Sequence, residues 1–183
     1  MTTYDPASGL RVPTRDDDLE RRTSLLHELG LLDVESDSEL DEIAGFLGEA
    51  AGQPWAMVNF ITDQQRFPGL YVAPDALPVA RSMPLTHGYC PDVLHRPVAM
   101  VLPHLHSHPR LKSNPVVDGL GVLTYSGAPL IHHQLGLCFG TVCFIGDAPM
   151  DQSTGQRSLA QVNAARDEAL AVIDRRARER GLL

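Results

Sequence analysis

SELDEIAGFLGEAAGQPWAMVNFITDQQRF, residues 38–67, contains the change of pattern that decides the fold. Apolar residues first recur at helical spacing, and Gly52 marks the end of that helix. A run rich in strand formers follows, interrupted by a short polar stretch. The predicted elements are a helix over residues 40–51, a strand over 54–62, a turn over 63–66 and a second strand over 67–72.

Two further helices are predicted near the ends of the chain. Leucines spaced between charged residues indicate a three-turn helix over residues 19–32. The helix that begins near residue 40 is preceded by a capping box, in which the Ser36 hydroxyl and the Glu39 carboxylate satisfy free backbone amides. A last helix begins after a similar cap at residues 153–156 and ends in a basic tail.

The middle of the chain alternates loops with short strands. It comprises a proline-rich loop over 73–84, a short helix over 86–95, a strand over 97–102, a long loop over 103–118, and strands over 122–131 and 137–145 joined as a second hairpin. Because no strand–helix–strand unit repeats, the order predicts an antiparallel α+β fold.

Composition narrows the class of protein. The chain has 183 residues and a formal net charge of −8, which is typical of a single soluble domain and argues against nucleic-acid binding. It shows neither a secretion signal nor an apolar run long enough to cross a membrane, so we expect a cytoplasmic protein with no membrane partner. We expect residues 1–18 to form a flexible N-terminal segment and residues 19–180 to form one domain.

The three cysteines, Cys90, Cys138 and Cys143, are an odd number without metal-ligand spacing, so reduced thiols are expected. Cys143 lies within an apolar strand and is predicted to be core. Cys138 and Cys143 are an odd number of residues apart, which places them on opposite faces of a regular strand and disfavours a disulfide between them.

Several phrases in order resemble the GAF domain family. They are the opening stretch quoted above, THGYCPDVL around Cys90, HPRLKSNPVV, TYSGAPL (124–130) and FGTVCFIGDAP (139–149). The resemblance covers roughly residues 20–178. It implies a central antiparallel sheet of about six strands, with terminal helices packed on one face and loops and short helices over a ligand pocket on the other.

The resemblance also implies a function. Similar domains bind small molecules and pass a signal to an attached output domain, whereas only one helix follows Ile145 here. We therefore expect a stand-alone, non-catalytic sensory or regulatory domain that binds a small ligand. It would signal through a trans-acting protein or as a homodimer formed by its first and last helices, where acidic residues 16–20 and basic residues 175–180 complement each other.

Candidate ligand contacts are polar residues in or near the expected pocket. Asn59, Thr124, Tyr125 and Ser126 interrupt otherwise apolar strands, and His87 and Cys90 lie on the segment that would roof the pocket.

A haem- or metal-binding sensor is the first alternative function. His104, His106 and His108 alternate next to a strand end, and in extended backbone they point the same way and can converge on a transition metal or haem iron. The second alternative is a thiol-dependent reductase of free methionine sulfoxide that uses Cys90. The sequence disfavours it because Cys90 is the only cysteine on a segment expected at the pocket, which leaves no resolving thiol.

Overall fold

The protein was analysed as a computed structural model, which describes residues 2–5, 10–13, 15–108, 111 and 114–182. Eight strands are described: β1 (Thr2–Asp5), β2 (Leu10–Pro13), β3 (Trp55–Ile61), β4 (Gln64–Val72), β5 (Ser82–Pro84), β6 (Met100–Leu102), β7 (Thr124–His132) and β8 (Leu137–Gly146). Six of them form one antiparallel sheet in the order β5-β4-β3-β8-β7-β6. The predicted α+β class and six-stranded sheet are confirmed.

Long helices cover one face of this sheet, which we call the helix face. They are α1 (Leu19–Glu28), α2 (Ser38–Ala51) and, at the C-terminal end, α5 (Gly155–Glu179). Their apolar stripes pack on alternate strand residues, so that Leu26, Ile43 and Val162 share one buried cluster with Val58 and Phe144. None of the described helices is long and apolar enough to cross a membrane.

Short elements cover the opposite face. They are α3 (Cys90–Val93), a 3-10 turn (Leu105–Ser107) and α4 (Pro115–Leu120), which together we call the roof. Successive residues of β3 and β8 point to opposite faces of the sheet. Those that point away from the long helices, such as Met57 and Ile145, pack with Tyr89 and Val93 in a second buried cluster.

The helix starts differ from the predicted caps. Asp37, rather than Ser36, accepts the amides of Glu39 and Leu40 at the start of α2. Gly52 ends α2 with a positive φ of 62°, as the sequence predicts. Before α5 it is Asp151 that caps a 3-10 turn, and Thr154 makes no side-chain cap.

The limits of the strands also differ from those predicted from the sequence. The predicted polar turn at residues 63–66 is shorter, because Gln65 pairs with Ile61 and already belongs to β4. Residues 1–18, expected to be flexible, include β1 and β2, which pair with each other and form a separate two-stranded sheet.

A β-bulge changes the face on which one cysteine lies. Leu130 pairs with Gly140 and Ile131 with Cys138, so Phe139 is an extra residue in β8. Phe139 therefore packs on the helix face while Cys138 packs beside the roof-face cluster that contains Cys143. The parity argument that separates the two cysteines is wrong for this reason, although all three thiols are free.

Candidate functional site

The candidate site lies between the sheet and the roof, around two cysteines. Cys90 begins α3 and Cys143 lies in the middle of β8, and their sulfur atoms are 3.4 Å apart. The Tyr125 hydroxyl donates to Cys90 Sγ at 3.5 Å. Gly127, two residues further along β7, has no side chain, and a Cβ there would overlap the Tyr125 hydroxyl. This glycine leaves room for the tyrosine to reach the thiol.

The two thiols have different acidities because the Cys143 thiol donates a hydrogen bond to the Cys90 sulfur. Hydrogen bonding from the Cys143 thiol, and further from Thr141, Tyr125 and Asn59, outweighs burial and lowers the pKa of Cys90 to about 7. The pKa of Cys143 is raised well above its usual value, first by donating to Cys90 and then by burial. Cys90 is thus the more acidic thiol of the pair and Cys143 the less acidic one.

Buried amides extend the site toward β4. Asn59 Nδ2 donates to Gln65 Oε1 at 3.0 Å, and Gln65 Nε2 donates to the carbonyl oxygens of Pro84 and His87 at 2.9 and 2.7 Å. This chain of hydrogen bonds ties the sheet to the segment that leads into α3. Neither Gln65 nor Thr141 was predicted as a site residue.

Two buried polar atoms beneath the roof have no hydrogen-bond partner: Asn59 Oδ1 and Thr141 Oγ1. Asn59 and Thr141 are directly paired on β3 and β8, and both are 0% exposed. The Thr141 hydroxyl makes no bond to the neutral thiol, but it lies close enough to donate to a Cys90 thiolate. An unpaired buried hydroxyl or amide costs about 1–3 kcal/mol, so these atoms mark a place where a further partner would be favourable.

The cavity at this site is small. It measures about 20 Å³, enough for about one water-sized molecule, and its walls include Met57, Phe67 and Met83 beside the two cysteines. The only tryptophan, Trp55, bonds to the proline-rich loop before β5, because its Nε1 donates to the Leu77 carbonyl oxygen at 2.8 Å. A ligand larger than water therefore requires the roof or this loop to move.

Two residues before α3, Gly88 and Tyr89, bond to the segment that leads into α4. Asn114 donates to the Gly88 carbonyl oxygen at 2.7 Å and accepts from the Gly88 amide at 2.9 Å, while also capping α4. The adjacent Tyr89 donates to the Leu111 carbonyl oxygen at 2.7 Å and packs against the Tyr125 ring. The start of α3 and the start of α4 are thus directly connected.

The predicted ligand contacts are only partly brought together. Asn59, Cys90 and Tyr125 meet at the site. His87 contributes its carbonyl oxygen, while its ring contacts the Thr86 hydroxyl. Thr124 and Ser126 alternate with Tyr125 and are therefore on the helix face, and the Thr124 hydroxyl donates to the carbonyl oxygens of Leu102 and Pro103.

The histidine loop differs from the geometry that its metal prediction requires. His106 lies within the 3-10 turn, so the alternating residues do not follow an extended path. The His104 and His106 rings are 5.8 Å apart and tilted. Across the described residues, no three His, Cys, Asp or Glu side chains come close enough together to bind a metal ion.

An antiparallel sheet with long helices on one face and short elements on the other defines the structural class of this chain. The sequence pattern of the GAF domain matches residues 35–166, and the chain belongs to the GAF domain family. The structure is similar to the GAF domain of an Acinetobacter phosphoenolpyruvate-protein phosphotransferase, with 14% identity, 93% of this chain and 100% of that chain covered, and a TM-score of 0.57.

Two further similar structures differ in what they do. The phycocyanobilin-bound GAF domain of a cyanobacterial phytochrome has 15% identity, covers 92% of this chain and 98% of that chain, and gives a TM-score of 0.57. Free methionine-R-sulfoxide reductase from Neisseria meningitidis has 15% identity, covers 91% of this chain and 97% of that chain, and gives a TM-score of 0.54. At these identities the likeness concerns the fold alone. Comparison with curated protein sequences gives no match.

Proposed function

We propose that this chain is a sensory or regulatory GAF domain that binds a small ligand between the sheet and the roof. The observation that carries the proposal is the pair of unpartnered polar atoms on Asn59 and Thr141, side by side beneath the roof. Retaining two such atoms in an apolar core is costly, and a ligand that enters the opened pocket supplies their partners.

The ligand must displace the roof, because the closed cavity holds only about one water-sized molecule. Met83 is suited to such movement, since its side chain is flexible and forms part of the wall. The displaced roof segment then carries the signal, because Gly88 and Asn114 connect α3 to α4.

Ligand binding is tested by thermal unfolding of the reduced protein with a panel of amino acids, cyclic nucleotides, haem and linear tetrapyrroles, together with native mass spectrometry. One chemical class is expected to raise the melting temperature of the wild-type protein and to raise it less in Thr141→Val. Ser158→Ala removes an equally buried and unpartnered hydroxyl on α5 and serves as the matched control. The proposal fails if no compound shifts the melting temperature and no adduct is seen.

Signalling through a homodimer is the second element of this proposal. Charge complementarity between the first and last helices supports this dimer less than the sequence predicts. Arg175 and Arg176 already pair with Glu39 of the same chain, and Arg176 also pairs with Asp37. Phe46, which is 68% exposed on α2, offers an apolar contact instead. Sedimentation of wild-type protein and Phe46→Ser tests this. We expect a dimer that weakens in the variant, and a wild-type monomer at all concentrations contradicts it.

The thiol-dependent reductase is a second candidate because the structure supplies the thiol that the sequence argument found missing. Cys143 lies 3.4 Å from Cys90 and can resolve an oxidised Cys90. Cys90 is only 4% exposed, so free methionine sulfoxide reaches it only in an opened pocket. Turnover of free methionine sulfoxide with dithiothreitol, lost in Cys90→Ser, would establish this activity.

Haem or metal binding has the weakest support. The described histidines form no metal-binding cluster, and the closed cavity is far smaller than a haem. An absorption spectrum and elemental analysis of untagged protein test this function directly. A Soret band or stoichiometric metal that is lost when His104, His106 and His108 are replaced would make haem or metal binding the preferred function.

A further inference from the structure

We propose that Cys90 and Cys143 form a peroxide-reactive dithiol, in which oxidation joins α3 to β8 through a reversible intrachain disulfide. This inference goes beyond ligand binding and does not require it. It depends on the placement of two thiols from distant parts of the sequence, with their sulfur atoms 3.4 Å apart beneath the roof.

The geometry suits disulfide closure. A disulfide bond is about 2.05 Å long, so the two sulfur atoms must approach by about 1.4 Å. The two cysteines lie on elements that pack against each other in one buried cluster. Cys138 lies on the same strand as Cys143 but its thiol donates instead to the Gly140 carbonyl oxygen at 3.3 Å.

The surroundings distinguish the roles of the two sulfurs. Tyr125 donates to Cys90 and the Cys143 thiol stabilises it further, so Cys90 is the nucleophile. Position, rather than acidity, separates the other two thiols, because Cys143 lies against Cys90 while Cys138 donates to a backbone carbonyl oxygen. The site therefore has one attacking sulfur and one resolving sulfur.

The size of the cavity selects the oxidant. A space of about 20 Å³ beside Cys90 admits a molecule only slightly larger than water, and its apolar walls favour a neutral one. Hydrogen peroxide meets both conditions, whereas bulky disulfides and methionine sulfoxide do not fit the closed site.

The chemistry balances in two steps. The Cys90 thiolate attacks one oxygen of hydrogen peroxide and the O–O bond breaks. The departing hydroxide leaves as water by taking back from solvent the proton that Cys90 released on ionisation, and Cys90 becomes a sulfenic acid. The Cys143 sulfur then attacks the Cys90 sulfur, the S–O bond breaks, the Cys143 thiol proton joins the leaving hydroxide as a second water, and the S–S bond forms. Peroxide is reduced by two electrons, and the two thiols are oxidised to one disulfide.

Closure of the bond acts on the roof. Cys90 follows Gly88 and Tyr89 directly, and these two residues bond to Asn114 and Leu111. Drawing α3 toward β8 therefore pulls on the contacts that connect α3 to α4.

Peptide mapping of peroxide-treated wild-type protein tests the inference. Cleavage after Arg81, Arg110, Lys112 and Arg157 separates a peptide of residues 82–110, containing Cys90, from one of residues 113–157, containing Cys138 and Cys143. We expect the intact mass to fall by about 2 Da, the two peptides to be linked, and dithiothreitol to reverse both changes.

Variants identify the resolving sulfur. Cys138→Ser is expected to form the same linked pair at the wild-type rate. Cys143→Ser is expected to lose it and to accumulate Cys90 sulfinic acid, a gain of about 32 Da. The inference is overturned if wild-type protein gains oxygen without linking, or if linkage persists in Cys143→Ser. If a variant does not fold, fragmentation of the linked wild-type peptides between residues 138 and 143 shows which of the two cysteines is bonded to Cys90, and a bond to Cys138 overturns the inference.

Discussion

The unpartnered hydroxyl of Thr141 gives the most direct prediction from the candidate site. Thr141 is fully buried, and its Oγ1 has no hydrogen-bond partner. Valine has nearly the same shape and removes the hydroxyl. Because burying an unpaired hydroxyl costs about 1–3 kcal/mol, we expect Thr141→Val to raise the free energy of unfolding by about 1 kcal/mol. For a domain of this size that corresponds to about 2–4 °C in melting temperature.

The effect depends on pH because Thr141 can donate to the Cys90 thiolate. The pKa of Cys90 in the folded protein, about 7, lies below its value in the unfolded chain. The thiolate therefore stabilises the fold fully above the unfolded pKa of about 8.5, and this contribution is lost as the pH falls through about 7. Thr141→Val raises the folded pKa, so its advantage at pH 6 should shrink or reverse by pH 9.

Urea unfolding followed by circular dichroism, in excess reductant at pH 6 and pH 9, measures both effects. Ser158→Ala is the control, because it removes a buried unpartnered hydroxyl on α5, which packs on the helix face, and should stabilise equally at both pH values. A Thr141→Val protein that is less stable than wild type at pH 6 would refute the reasoning, since the hydroxyl would then already have a partner.

Three further changes test other parts of the structure. Asp37→Ala removes both the cap of α2 and the ion-pair partner of Arg176 on α5. Loss of the cap alone should lower the free energy of unfolding by about 1–2 kcal/mol, measured by thermal unfolding. Asp37→Asn keeps the cap and should cost less. Gly140→Ala places a Cβ against a backbone carbonyl of β3 and should lower the free energy of unfolding in urea by about 1–3 kcal/mol. Gly119→Ala in α4 meets open space and should be neutral or stabilising. Tyr125→Phe removes a donor from Cys90, raises the pKa of that thiol, and should move the midpoint of the pH dependence of peroxide oxidation upward with an unchanged far-ultraviolet spectrum.

The same arginine contact gives an acid dependence. Hydrogen bonding from Arg176 is the largest cause of the lowered pKa of Asp37. A carboxyl group whose pKa is lowered by folding stabilises the protein above its unfolded pKa, about 4, and loses that contribution as the pH falls through the folded value. Below pH 4 the melting temperature of wild type should therefore fall more steeply than that of Asp37→Asn.

Much of the fold follows from local pattern. The apolar spacing of α2, the glycine that ends it and the run over β3 are strong local signals, and the absence of strand–helix–strand repeats correctly indicated an antiparallel sheet. The family resemblance added the number of strands. These features are predictable because each depends on residues close together in the sequence.

The site was harder to predict because it depends on tertiary details. The bulge at Phe139 changes which face Cys138 lies on, and no alternation rule signals it. The partnership of Cys90 with Cys143 requires α3 to dock on β8, 53 residues away in sequence. Thr141 carried the one usable signal, since it interrupts an apolar strand in the same way as Asn59.

The indole hydrogen bond of Trp55 has a practical consequence. Trp55 is 2% exposed, and its bond to Leu77 connects the sheet to the loop before β5. Because the chain has a single tryptophan, its fluorescence is a built-in reporter at the edge of the roofed face. A shift of its emission to longer wavelength will indicate that this loop has opened, without any label, and stopped-flow mixing can time that opening against ligand addition or oxidation.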